Sequence, residues 1–267
     1  MKNYEKILLA YKIFFSLMSM IVIYGFYIFK LVDQTELSQK FSGNFEMMSM
    51  EYFTTFTLLS NVFCQVWFLI AAIQWKKEGL TKATNYTTAT SLATLITVTL
   101  VVYNAVLIPV AGFPKEAFAA FSSIYSHVIM PIAFVVYVLF LIPRKEEVGL
   151  KQFFLKKFWI QFLVIFLYCV FALVRGELRY QSMQNTDPNN NIYTFSDENG
   201  NIKNYIYPYF FLDLHSKGLA GIPAYGIFVI TFSGVLGFMI GISFLYNYSS
   251  NLIIKKSYYQ NWNTQSS

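Results

Sequence analysis

Long apolar blocks alternate with short polar connections along this chain, and the blocks are too uniform to be amphipathic surface helices. A helix needs roughly 20 predominantly apolar residues to cross the hydrocarbon core of a bilayer. Six windows reach about that length: Ile13–Val32, Tyr52–Gln74, Thr84–Ile108, Phe121–Ile142, Phe158–Val174 and Ile222–Tyr246. Most end on a recognisable stop. DQTELSQK follows the first, Trp75-Lys76-Lys77 the second, Pro109 and a GFPK turn the third, Pro143-Arg144-Lys145 the fourth, and Arg175 closes the fifth. The first block lacks a small-x-small cleavage site and is expected to stay as a helix.

Composition strengthens the pattern. Of 267 residues, 56% are hydrophobic and only 13% are charged, whereas a water-soluble domain keeps about a quarter of its residues charged. The expected fold is an all-α membrane protein, with six transmembrane helices in one bundle. They form a single domain over residues 1–267 in the cell membrane, with no soluble domain and no internal repeat.

Charge supplies the direction. Lys2, Lys6 and Lys12, then Lys76, Lys77 and Lys82, then Arg144, Lys145, Lys151, Lys156 and Lys157, then Lys255 and Lys256 all fall on one set of connections. The alternate set holds Asp33, Glu36, Lys40, Glu46 and Glu51, then Lys115 with Glu116. The positive-inside rule makes the first set cytoplasmic, giving an N-in, C-in topology. The net charge of +6 therefore reads as topology and contact with anionic headgroups, not as a nucleic-acid surface. The connection 175–221 stands apart as a long outer loop. Its Asn-, Asp- and Gly-rich middle suggests a small hairpin around Glu198-Asn199-Gly200-Asn201.

Polar groups inside hydrocarbon are costly and tend to mark function. Thr54, Thr55, Thr57, Ser60 and Asn61 lie early in the second window, Tyr103 and Asn104 late in the third, His127 in the fourth, and Arg175 at the end of the fifth. All of these fall in the half of the membrane expected to face outward. His127 is the most informative, since the other histidine, His215, lies in the long loop. An imidazole can act as general base toward a hydroxyl whose own pKa is far too high. The structural alternatives are helix back-bonding by the threonines, interhelical hydrogen bonding by His127 and snorkelling by Arg175. Cys64 and Cys169 have no metal-like or CxxC spacing and read as small packing residues. No metal site and no cofactor site is expected.

The segments YFTTFTLLSN, VTLVVYNAVL, YSHVIMP, FALVRGE and YPYFFLDL resemble, in that order, a bacterial family of six-span membrane proteins. That family is distantly similar to the eukaryotic androgen-induced and androgen-dependent (FAR-17a type) transmembrane threonine hydrolases, which cleave fatty acid esters of hydroxy fatty acids. The first resemblance covers nearly the whole chain; the second rests on two residues and helix order. It implies a catalytic Thr at Thr54, placed by Tyr52-Phe53-Thr54 and Asn61, with Thr55 and Thr57 as rival positions, and a catalytic His at His127.

Three functions are consistent with these residues. An intramembrane lipid-ester hydrolase would use Thr54 as nucleophile and His127 as base. Asn61, Tyr103 or Asn104 would support them, and Arg175 would hold a lipid carboxylate. A small transporter or channel subunit is disfavoured because no Asp or Glu lies in the middle of a window. A non-enzymatic lipid-binding or partner-organising module would use the small face of Ser233, Gly234, Gly237 and Gly241, although internal packing accounts for that face equally well. The expected partners are membrane lipids, with a lipid ester as substrate in the hydrolase reading.

Overall fold

A computed structural model describes residues 3–33, 41, 43–185, 193–196 and 202–265. The helices are α1 (Asn3–Val32), α2 (Phe45–Phe53), α3 (Phe56–Ile73), α4 (Tyr86–Val110), α5 (Ala117–Leu141), α6 (Leu150–Lys156), α7 (Phe158–Gln184) and α8 (Ala224–Gln265). Strands β1 (Thr194–Ser196) and β2 (Ile202–Asn204) pair antiparallel, Thr194 opposite Asn204. The turn expected at 198–201 lies outside the described residues. Six stretches are long and apolar enough to cross a membrane: Asn3–Val32, Phe56–Ile73, Tyr86–Val110, Ala117–Leu141, Leu150–Gln184 and Ala224–Lys255. The chain is built as a multi-pass membrane protein.

Several boundaries move for identifiable reasons. The second apolar window is two helices, broken at Thr54-Thr55. There the Thr55 hydroxyl accepts the Leu58 N–H at 3.3 Å and caps α3. The fifth helix runs past Arg175 to Gln184, so the first part of the expected loop is helical. Its polar residues are satisfied on the helix, as where Gln181 Nε2 donates to Glu177 at 2.7 Å. α1 begins ten residues before its window, and Lys12 lies inside it.

The structure falls into two compact units, Met1–Val22 with Ser60–Gln161 and Gly237–Ser267, and Ile23–Leu59 with Phe162–Leu236. The first has an aromatic core in which Trp67, Phe68, Phe134 and Tyr137 pack edge-to-face, with Tyr11 stacked on Tyr137 at 5.5 Å between centroids. Hydroxyls and amides knit its helices together. Thr97 meets the Tyr246 hydroxyl at 2.8 Å, Ser243 donates to Gln161 Oε1 at 2.8 Å, and Gln161 Nε2 donates to Ser91 at 3.0 Å. The connection after α3 folds back because Arg144 Nη1 donates to the carbonyls of Lys76 and Glu78, each at 3.1 Å. Gly79 is required there. Its φ is +85°, and a Cβ would sit 2.8 Å from Arg144 Cβ.

In the second unit, α2 starts at Asn44, whose Oδ1 accepts the Met47 N–H at 2.9 Å. Tyr52 ties this short helix to α1 by donating to the Ile23 carbonyl at 2.6 Å. Cys169, Ala172, Ile206, Tyr207 and Leu212 form the packed centre, and Phe41, Met47 and Met48 a smaller cluster beside Tyr193 and Tyr205. Gly176 lets the Tyr207 ring lie against α7, since a Cβ there would fall 2.0 Å from Tyr207 Cε1. Among the described residues, the small face of α8 meets open space: a Cβ added at Gly234, Gly237 or Gly241 would meet nothing within 4 Å.

Candidate functional site

Two groups of polar residues stand out, one in each unit. In the first unit, α4 contains a π turn, Tyr103–Leu107, and α5 contains two, Tyr125–Ile129 and Tyr137–Leu141. Such turns interrupt the i→i−4 ladder and expose backbone carbonyls to other donors. Asn61 Nδ2 donates to the Ser126 carbonyl at 3.0 Å, and Asn104 Nδ2 to the His127 carbonyl at 3.4 Å. The His127 ring stacks on Tyr103, with centroids 3.4 Å apart and an interplanar angle of 10°. Its Nδ1 lies 2.8 Å from the Ser123 carbonyl and 3.4 Å from the Ser123 hydroxyl, and that hydroxyl also bonds the Tyr103 hydroxyl. A carbonyl only accepts, so Nδ1 carries the proton in the neutral ring and Nε2 carries the basic lone pair.

Asn61, Tyr103, Asn104 and His127, all singled out from the sequence, are thus brought together. The two asparagines act on the backbone of the His127 turn. Ser123 joins this group without having been singled out from the sequence. Its signal was available in SSIYSH, where Ser123 stands four residues before His127, one turn away in a helix.

Thr54 and Arg175 belong to the second unit. Thr54 is the C-cap of α2 and is buried; its hydroxyl donates to the Met50 carbonyl, the back-bonding expected of a structural threonine. Its own carbonyl accepts from the Tyr168 hydroxyl at 3.0 Å. Arg175 is only 6% exposed. It shares Glu51 with Arg179: Arg175 Nη2 lies 2.5 Å and Arg179 Nη1 2.8 Å from Glu51 Oε2. Arg175 and Arg179 also donate to the carbonyls of Ile206 and Tyr205 respectively. Among the described residues, Arg175 Nε has no hydrogen-bond partner.

Both arginines line an open cavity of about 500 Å³ whose other walls include Met47, Met50, Phe171, Val174 and Leu178. Glu46 and Asn44 also line it, Glu46 as an exposed side chain. Glu51 and Arg179 were not candidates from the sequence. Glu51 stood with the acidic charges of the first outer connection, and only its pairing with residues 124 and 128 positions away reveals its place. Close by, burial pushes the Tyr207 hydroxyl up to about 12, with the Glu177 and Asp213 carboxylates adding to the effect. It stays a neutral hydrogen-bonding group at physiological pH.

No family model matches the chain, and neither the curated proteins nor the solved structures contain a match. Among the described residues, no group of three or more His, Cys, Asp or Glu side chains is placed to hold a metal ion.

Proposed function

We propose that the protein is lipid-active, taking an acyl chain from the membrane into the cavity between α2 and α7. The single observation behind this reading is the cavity itself. Five apolar side chains, Met47, Met50, Phe171, Val174 and Leu178, wall about 500 Å³, with two arginines at the polar part. An apolar cleft with a few placed polar groups is the usual form of a small-molecule site, and methionine side chains adapt to flexible chains. The positive-inside pattern further supports a cell-membrane protein with the start of α1 and the end of α8 on the cytoplasmic side.

A direct test uses the purified full chain in an uncharged detergent and a fluorescent long-chain alcohol. Saturable binding to the parent protein, reduced at least about tenfold by Val174→Trp or Met50→Trp, is expected, since either indole would fill the acyl space. Binding that both variants leave intact would remove the cavity from consideration.

A second reading is ester hydrolysis with His127 as the base. The Ser123 carbonyl accepts the His127 Nδ1 proton at 2.8 Å, which puts the basic lone pair of the neutral ring on Nε2. Fluorophosphonate labelling should be lost in His127→Ala. Labelling that persists in this variant sinks this chemistry and leaves lipid binding standing.

A further inference from the structure

Among the described residues, two buried arginines at the cavity share one carboxylate. Arg175 and Arg179 both contact a single carboxylate oxygen, Glu51 Oε2. One anion therefore serves two buried cations, and Arg175 Nε, a buried donor, has no acceptor among the described residues. A buried unsatisfied donor is costly, more so when it carries charge. Glu46, which lines the cavity, is exposed, so solvent and salt screen it far more than they screen the buried arginines.

We propose that the lipid taken up by this cavity is an anionic single-chain amphiphile, whose carboxylate or phosphate is held by Arg175 and Arg179 while its chain lies along Met47, Met50, Phe171, Val174 and Leu178. The inference rests on the acyl-binding reading above and adds the charge and position of the head. An anionic oxygen accepting from Arg175 Nε would supply the missing acceptor and the second negative charge together. Guanidinium groups suit planar carboxylate and phosphate oxygens through paired N–H donors. Glu51 already contacts both guanidinium groups and would compete with such a ligand for the same donors. Its removal should therefore strengthen binding of an anionic ligand, whereas loss of an ordinary structural ion pair would not.

The test measures affinities of the full chain, in an uncharged detergent, for oleate, monooleyl phosphate, oleyl alcohol and inorganic phosphate. Oleate, monooleyl phosphate or both should bind at least about tenfold more tightly than the alcohol, the ratio expected of one charge-assisted hydrogen bond. Which of the two binds identifies the head as carboxylate or phosphate. Inorganic phosphate alone should neither bind measurably nor displace oleate. Arg175→Gln should abolish the preference for the anion while sparing the alcohol, Arg175→Lys should keep part of it, and Glu51→Gln should enlarge it several-fold. The preference is a ratio within one preparation, so partial loss of folded protein cancels, and the parent protein alone can refute the idea. Equal affinity for oleate, monooleyl phosphate and oleyl alcohol overturns the anionic head but leaves the acyl cavity; failure of every chain-bearing ligand to bind overturns both. Displacement by inorganic phosphate alone would point to a free-anion site and overturn the amphiphile.

Discussion

Each unit of the protein buries a cluster of charges, and the two are built to different rules. In the first unit Lys12, 2% exposed, pairs with Glu78, 0% exposed. The other oxygen of Glu78 accepts from the Tyr137 hydroxyl at 2.7 Å, and the Lys12 ammonium also lies 5.9 Å from the centre of the Tyr137 ring. One cation meets one anion, and both carboxylate oxygens have donors. In the second unit two cations share one oxygen, a donor is left over among the described residues, and a cavity adjoins them. The balanced cluster closes on itself and ties α1 to the connection after α3. The other leaves donor capacity beside open space. Burial of charge is therefore a weak pointer to function; charge imbalance beside open space is a stronger one.

The largest effect should come from breaking the closed pair. Glu78→Ala or Lys12→Met strands a buried charge, and each should lower stability by about 3–5 kcal/mol, read as a fall in melting temperature in detergent. The double variant Lys12→Met with Glu78→Leu should recover much of the loss. Single variants that melt like the parent would contradict the closed-pair description.

The open cluster should respond less, and in a ligand-dependent way. Glu51→Gln leaves two guanidinium groups without a shared anion and should cost about 1–3 kcal/mol. Added oleate should raise the melting temperature of this variant more than that of the parent, while the Lys12 and Glu78 variants respond to oleate like the parent. Equal responses everywhere would erase the distinction between the clusters.

Gly176→Ala probes the packing beneath the arginines. The new methyl would collide with the Tyr207 ring, and overpacking of this kind costs about 1–3 kcal/mol. Oleate binding should weaken with it, since Arg175 Nη1 donates to the neighbouring Ile206 carbonyl. The smallest effect concerns pH. Burial raises both Tyr52 and Tyr207 to about 12 from an ordinary value of 10.0. The unfolded chain releases these protons first, so their contribution is complete below pH 10 and should decline as pH rises toward 12. Tyr52→Phe with Tyr207→Phe should flatten that decline in a melting series.

The spans were legible because a run of apolar residues is a local property, and hydrocarbon leaves helices few alternatives. Four of the polar candidates, Asn61, Tyr103, Asn104 and His127, were legible for the same reason: each interrupts such a run. Lys12 was misread as a flanking topological charge, and Glu78 was not singled out at all. Their significance lies in a pairing across 66 positions that no local window contains. The break at Thr54-Thr55 was hidden because Tyr52-Phe53 before it and Phe56 after it read as the start of one apolar run; the capping capacity of Thr55 signals it. Gly234, Gly237 and Gly241 carried a pattern whose use sequence could not decide; among the described residues they have open space beside them.

The π turns have a consequence for how chain length can vary. Each holds one residue more than a regular turn would need. Deleting a residue within Tyr103–Leu107 or Tyr125–Ile129 would let the turn relax to an ordinary α-helix, with the faces before and after it still in phase. The same deletion in a regular α-helical stretch of α4 or α5 would rotate everything beyond it by about 100° and scramble the packed face. The π turns are therefore places where either helix can lose a residue and keep its fold, at the expense of the contacts each turn positions, the Tyr103–His127 stack and the asparagine bonds to Ser126 and His127 among them.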